Sequence, residues 1–526
     1  MAIDRPHWLL WLPHPHLPED DEPYEKRWLA LPAISLAVFL VAIDVSIVGI
    51  AAPAIIKELG ATSSQIQWTF DAYTVTLAGF VVLGGALAER FGRKGTLQIG
   101  GALFAAGATV SGVAGSVGVL LAGRVVSGFG AALAFPAALS IISAIFPQHE
   151  RHRAISIFAS ISAVGLTAGP VVGALLLNWF WFGSAFLCVV PFALIAVLLV
   201  GLVVPPSRRP GGSTSVDGSG ALLSMLGLGG IVFAIIEGPE LGWASPAVLG
   251  PLALGVATSV GFVLWELRQE DPLFDVRVFK NERVIAGALC MAVVYFTFTS
   301  MQMLFPQYLR YVANESILFT GLAMAPMGLS MVLLSPHSAP LTERYGQRNM
   351  IVVTLTLMAA GMMVLALLHT WGGLSNVIAG FVVYGLGFGL IVSAATSAVM
   401  IAIPREKAGD GSAVNLVSRQ LGGAIGVAVL GSLVSALYRT RLDLSAFQLS
   451  AEQQDRISDS LAGVVAVEHE LGSKLAASID AMADASMVFG LAWAMVAGAL
   501  VCAATAALNG YLLRGREGSN AAPPAG

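Results

Sequence analysis

Fourteen apolar runs, each about 20 residues long, follow one another along this chain. In hydrocarbon every backbone N–H and C=O must find its partner inside the protein, so a run of that length crosses a bilayer as an α-helix. The runs fall in 28–56, 64–88, 96–114, 118–146, 154–177, 182–204, 219–237, 246–266, 284–309, 316–341, 349–369, 375–403, 411–437 and 486–513. Only 11% of the 526 residues are charged, against about a quarter in soluble chains. The fold class expected is an all-α integral membrane protein, and an even number of spans puts both termini on one side.

Basic residues say which side. The N-terminus, the loops after even-numbered spans and the C-terminus hold 20 of the 28 Lys and Arg, whereas the short loops on the other face hold only Lys57 and Arg310. Positive charge stays cytoplasmic, so both termini are expected in the cytoplasm, in a cytoplasmic (inner) membrane. The long segment from Tyr438 to Ala485, with eight acids, then lies outside. Its AEQQDRISDSLAGVVAVEHEL reads as a surface helix.

Composition also excludes function classes. A net charge of −4 leaves no basic surplus for phosphates, so no nucleic-acid partner is expected. Cys188, Cys290 and Cys502 lie in apolar runs without metal-ligand spacing, which predicts neither a disulfide framework nor a metal site. The first 27 residues lack the layout of a cleaved secretory signal. Trp8 and Trp11 suit the headgroup layer, and His14 and His16 read as part of a plain surface segment. No GxxxxGK[ST] nucleotide loop and no nucleophile elbow with partners occurs. No cofactor is expected, and an ion gradient is the energy source.

The sequence repeats itself. GGALAERFGRKG follows span 2 and SAPLTERYGQRN follows span 10, aligning Glu89 and Arg90 with Glu343 and Arg344. The spacing from Pro147 to Gly165 equals that from Pro404 to Gly422. Spans 1–6 therefore map onto spans 9–14, with spans 7 and 8 inserted between. Repeated helical halves about a central site are the plan of many secondary transporters. The division expected is a cytoplasmic segment 1–27, a six-helix bundle 28–204, a linker 205–218, inserted helices 219–266, a linker 267–283, a second bundle 284–513 containing the outer loop 438–485, and a tail 514–526.

Charges inside the spans point to chemistry. Asp44 lies near the middle of FLVAIDVSIVGIAAPAII, Asp71 lies in QIQWTFDAYTVTLAGF, and Arg124 lies in LAGRVVSGFGAALAFPAAL. A buried arginine needs a partner, and either acid is a candidate. Burial favours the neutral acid while an arginine favours the carboxylate, so a small rearrangement decides whether the proton is held. A static ion pair is the plainer alternative. Trp68 and Tyr73 flank Asp71, and aromatic rings beside a carboxylate hold organic cations. Trp68 would also serve as an interfacial anchor. Phe296 and Gln302, in YFTFTSMQMLFPQYL, are candidate cavity-wall residues. Glu237, at the end of span 7, is either a proton or cation site or a solvated cap. Gly165, Gly169 and Gly173 share one face of span 5, with Pro170 beside the middle one, which lets a neighbouring helix come close.

These motifs resemble the major facilitator superfamily, and within it the fourteen-span drug:proton antiporters, along nearly the whole chain. Gly85, Leu87, Glu89, Arg90, Gly92, Arg93 and Lys94 match the superfamily's G-x-L-a-D-R-x-G-R-K pattern, with glutamate for the usual aspartate. GLTAGPVVG is similar to the antiporter motif, and Asp44 with Pro53 to the acidic motif of the first helix, where Gly49 stands for a common asparagine. Ser127 replaces the glutamine usual after Arg124. VFAIIEGPELGW resembles the inserted-hairpin motif, and VSRQLGGAIG resembles R-Q-x-G-G-x-x-G, which assigns Arg419 a gate or latch. The resemblance implies a major facilitator fold of two six-helix halves plus an inserted hairpin. It also implies a monomeric antiporter, not an enzyme, that exchanges protons for amphipathic or cationic small molecules, lipids among them. Export of an endogenous lipid or metabolite remains open, as does a membrane-embedded enzyme or a receptor that has lost transport.

Overall fold

The computed structural model describes residues 24–61, 63–207, 217–269, 272, 274–367, 373–404, 408–444, 447, 449–459, 461, 464, 467 and 473–513. Trp8, Trp11, His14 and His16 lie outside them. Fourteen helices of 15 residues or more occur among the described residues. They are α1 Arg27–Leu59, α2 Ser63–Phe91, α3 Arg93–Gly112, α4 Val117–Ile145, α5 Gln148–Leu177, α6 Val189–Val203 and α7 Gly218–Leu241. After these come α8 Pro246–Glu266, α9 Glu282–Gln307, α10 Ile317–Leu334, α11 Gln347–Ala366, α12 Leu374–Ala402, α13 Ala408–Arg441 and α14 Ser473–Leu512. No strand occurs among them, so the all-α expectation holds.

Among the described residues, thirteen segments are long and apolar enough to cross a bilayer. The remaining helix, α3, has 20 residues, which spans about 30 Å. It begins on Arg93 and Lys94 and is rich in glycine and alanine, which dilutes its apolar character without shortening it. One helix outruns its apolar core. α14 begins at Ser473, well before the apolar run at 486, because the polar turns ahead of that run stay helical. In the acidic segment lies the helix Ala451–Asp459, whose Ile457 is buried, as are Leu461, Val464 and Val467 beyond its end.

Close packing groups the chain into two compact units. The first comprises Met1–Phe233, Gly250–Val284 and Thr396–Val417, and the second Ala234–Leu249, Ile285–Ala395 and Ser418–Gly526. In the first, α3 and α4 approach backbone to backbone through glycines. A Cβ on Gly100 would stand 2.7 Å from the Gly130 carbonyl, and one on Gly130 2.6 Å from that of Gly100. Gly107 and Gly123 make the same reciprocal contact at 2.6 and 2.8 Å. Apolar side chains gain nothing by leaving lipid for one another, so close van der Waals contact between small residues holds such helices together. The second unit repeats the device between α11 and α12, where a Cβ on Gly387 would lie 2.7 Å from the Thr354 carbonyl and one on Gly380 3.2 Å from that of Gly361. Large apolar side chains instead face outward, such as Phe192 and Leu198 on α6 and Leu254 and Leu264 on α8, each more than half exposed. That is the face lipid covers.

Gly107→Val is expected to destabilise the protein by roughly 1–3 kcal/mol through overpacking, whereas Gly118→Ala, on the same helix pair but with no atom within 4 Å of its new carbon, should be neutral. Thermal unfolding in nanodiscs distinguishes the two.

Candidate functional site

Three elements of the first unit converge on Arg124 of α4. Its Nη1 lies 2.5 Å from Asp44 Oδ2, the guanidinium being 1% exposed and the carboxylate 0%. Its Nε donates to the Thr69 carbonyl on α2 at 3.0 Å. The Tyr73 ring lies 4.6 Å from the guanidinium carbon and the Phe186 ring 5.7 Å. Cation–π contact and a backbone acceptor are what a guanidinium cut off from water needs in addition to its counter-ion. Of the two candidate acids, then, Asp44 forms the ion pair. Its Oδ1 has no hydrogen-bond partner among the described residues, so the carboxylate is held through one oxygen. Asp71 is 8% exposed and sits on α2 two residues beyond Thr69.

The sequence also fixes why α1 can present Asp44. Gly165, Gly169 and Gly173 of α5 lie along α1: a Cβ on Gly165 would meet the Phe39 carbonyl at 2.5 Å, one on Gly173 would meet Ile47 Cγ1 at 2.6 Å, and one on Gly169 would strike Ser46 Oγ and the Ile43 carbonyl. The glycine strip therefore rests on the turn of α1 that carries Asp44. α5 runs unbroken through Pro170. A further pair not singled out from the sequence joins the starts of the same helices, with Arg27 Nε and Nη2 donating to the two Glu150 oxygens at 2.6 and 3.0 Å.

The second unit makes the matching contacts without charge. Gly422 and Gly426 of α13 abut the Ala292 and Phe296 carbonyls of α9, as Gly165 and Gly169 abut those of Phe39 and Ile43. Asp44 follows Ile43, and the residue that follows Phe296 is Thr297. Thr297 Oγ1 and Tyr384 Oη are hydrogen-bonded at 2.8 Å, both fully buried. Phe381 occupies the place of Arg124, four residues before the glycine, Gly385, that matches Gly128. Nothing in the residue types announces this neutral bond; only superposing the repeats would have found it.

Other predicted residues fall as follows. Trp68 packs on Phe233 of α7, ring centroids 5.6 Å apart. Tyr73, 1% exposed, forms the floor under Arg124. Phe296 and Gln302 are partly exposed on α9. Glu237 is 5% exposed, so a solvated cap does not describe it. Arg419 lies over the Tyr295 ring at 4.3 Å. In the loop after α2, Glu89 is buried and accepts the backbone N–H of Gly409 in the first turn of α13, where a helix start favours a negative charge. A Cβ on Gly85 would meet the Gly409 carbonyl at 3.2 Å. Gly92, with φ 115°, turns the chain between α2 and α3, and Arg93 follows it, 4% exposed. Gly346, with φ 80°, makes the same turn in the second repeat, but there Glu343 and Arg344 are exposed, and Glu343 has no ion pair or hydrogen bond among the described residues.

A repeated bundle of membrane-crossing helices, closely packed through glycines and carrying a buried ion pair in one repeat, is the build of a multi-pass membrane carrier. The sequence pattern of the Major Facilitator Superfamily matches residues 34–427, and the chain belongs to that family, whose members are transporters rather than enzymes. It is 31% identical over 412 residues to the tetracenomycin C resistance and export protein of Streptomyces glaucescens, covering 78% of this chain and 76% of that one. It is 30% identical over 490 residues to the multidrug efflux pump LfrA of Mycolicibacterium smegmatis, covering 93% and 97%. The crystal structure of the human organic anion transporter MFSD10 shares the fold, with a TM-score of 0.59 at 15% identity over 91% of this chain and all of that one.

Arg124→Gln leaves a buried carboxylate without its counter-ion and is expected to lower stability by about 3–5 kcal/mol. Adding Asp44→Asn should recover part of that loss. A double-mutant cycle on thermal unfolding reads the coupling, and additive losses would show that the pair does not act as one.

Proposed function

We propose that this protein is an exporter that exchanges protons for amphipathic or cationic drugs by alternating access, in a cytoplasmic membrane with both termini inside. The observation that carries this reading is the Asp44–Arg124 pair. Arginine stays charged at any working pH, so of the two partners only Asp44 can lose its charge, and protonation there removes the attraction between α1 and α4. Because the glycine strip of α5 lies against that turn of α1, few side chains there stand in the way of a shift of α1 once the attraction is gone. A bias of about 1.4 kcal/mol between two packings already changes their ratio tenfold.

The names of the relatives support drugs as the cargo, since both printed above are export or efflux proteins. Asp71 and Trp68 supply the charge and the aromatic face that an organic cation requires. Protons provide the energy, without a cofactor, and the distribution of Lys and Arg supports the orientation.

The test is export of a fluorescent cation from cells lacking their own pumps. Asp44→Asn should reach the membrane at normal levels yet give no export driven by a proton gradient; full gradient-driven export would sink the reading. Gly169→Leu, which changes no charge, should reduce export just as severely, because the new side chain collides with Ser46 and the Ile43 carbonyl. Normal export by that variant would mean that the strip is mere packing. Asp71→Asn should weaken export of cations more than of neutral compounds, which parallel dose–response curves would reveal.

A further inference from the structure

Three segments of the first unit meet at the end of α2, each hydrogen-bonded to the other two. Glu89 of α2 accepts the Gly409 N–H of α13. The next residue, Arg90, donates from Nη2 to the Pro272 carbonyl at 3.4 Å. The Asp275 N–H, three residues further on, is donated to Asp410 Oδ2 at 3.3 Å, beside Gly409. Adjacent residues of α2 and adjacent residues of α13 thus hold the same short stretch of chain.

That stretch is the linker leaving the inserted helices, and it is fastened to α8. Glu266, 1% exposed, accepts the Phe274 N–H at 3.4 Å. The Phe274 ring, 7% exposed, lies 6.4 Å from that of Phe262. Arg277 donates from Nη2 to the Leu267 carbonyl at 3.1 Å, and Asp275 caps the 3-10 turn Val276–Lys280 through the Arg277 N–H. At its far end, Asn281 donates to the Ala402 carbonyl closing α12 at 3.4 Å. α13 in turn leaves the first unit after Val417 and continues in the second. A pull on the start of α13 therefore acts on Gly409 and Asp410, and through them on the linker.

We propose that the stretch from Asp275 to Asn281, with the Pro272 carbonyl, is a strap through which the inserted helix pair holds the contact between α2 and α13 shut, the three ties opening and closing together. The proposal rests on the alternating-access reading above. Its physical basis is the closed triangle. Each tie positions the groups that make the other two, so breaking one frees the donors and acceptors of the rest. The inserted helices are then a mechanical part of the gate and not a passive addition to the bundle.

Hydrogen exchange on the full-length protein in nanodiscs tests the cooperation. Arg90→Ala should speed amide exchange by about tenfold in peptides covering both 274–281 and 408–412, with α11 unchanged as a control for folding. Exchange unaltered in both peptides overturns the strap. A second arm uses the Asp275→Cys/Asp410→Cys pair. Oxidation should join the two segments and cut export by about tenfold or more, with reductant restoring it. A pair that fails to join, or a joined pair that exports at the reduced rate constant, counts against the strap. If the unsubstituted protein shows no gradient-driven export, the proton-exchange reading is what fails, and hydrogen exchange still decides the strap by itself.

Discussion

Taking a carboxylate and a guanidinium out of water costs several kcal/mol for each ion, and only good geometry between them offsets it. Much of the first unit is arranged to meet that requirement. α1 supplies the acid, α4 the base, α2 a carbonyl and the Tyr73 ring, and the turn before α6 the Phe186 ring. The glycines of α3, α4 and α5 let these helices come near enough for the contacts to close.

The two repeats share backbone geometry and differ in chemistry. Where the first has an ion pair, the second has a bond between two hydroxyls, Thr297 and Tyr384. A neutral bond of that kind has no charge to lose near pH 7. Both repeats bring these helices together through glycines against backbone carbonyls, so a looser approach in the second is not the source of the difference. It follows that any proton dependence carried by these matched positions enters through the first repeat, while the second offers a contact indifferent to pH.

Much of this was legible in the sequence because the bilayer enforces a simple rule: about 20 apolar residues make a span. The spans, the repeat and the buried charges follow from it. Helix ends do not, since hydropathy reports where lipid lies and not where a helix stops; α14 starts at Ser473 for that reason. Which acid meets Arg124 depends on how α1 and α2 are rotated about their axes, and residue type says nothing of that. Glu89 stands out through its motif, but the bond it accepts from the Gly409 backbone N–H does not, since backbone groups leave no mark in a sequence. Thr297 and Tyr384 were hidden for a related reason, being ordinary residues for an apolar helix.

The fork between Arg27 and Glu150 gives the α1–α5 pair the properties of a lever. It pins the two helices at one end, and beyond it the glycine strip of α5 lies along α1 with no ion pair between them among the described residues. Asp44 lies 17 residues along α1 from Arg27, an arm of about 25 Å. A tilt of about 5° about the pinned end would carry Asp44 sideways by about 2 Å, enough to part a hydrogen bond. The same tilt barely displaces the residues next to the fork. Small angular play at one edge of the bundle thus becomes a decisive change of distance at its charged centre.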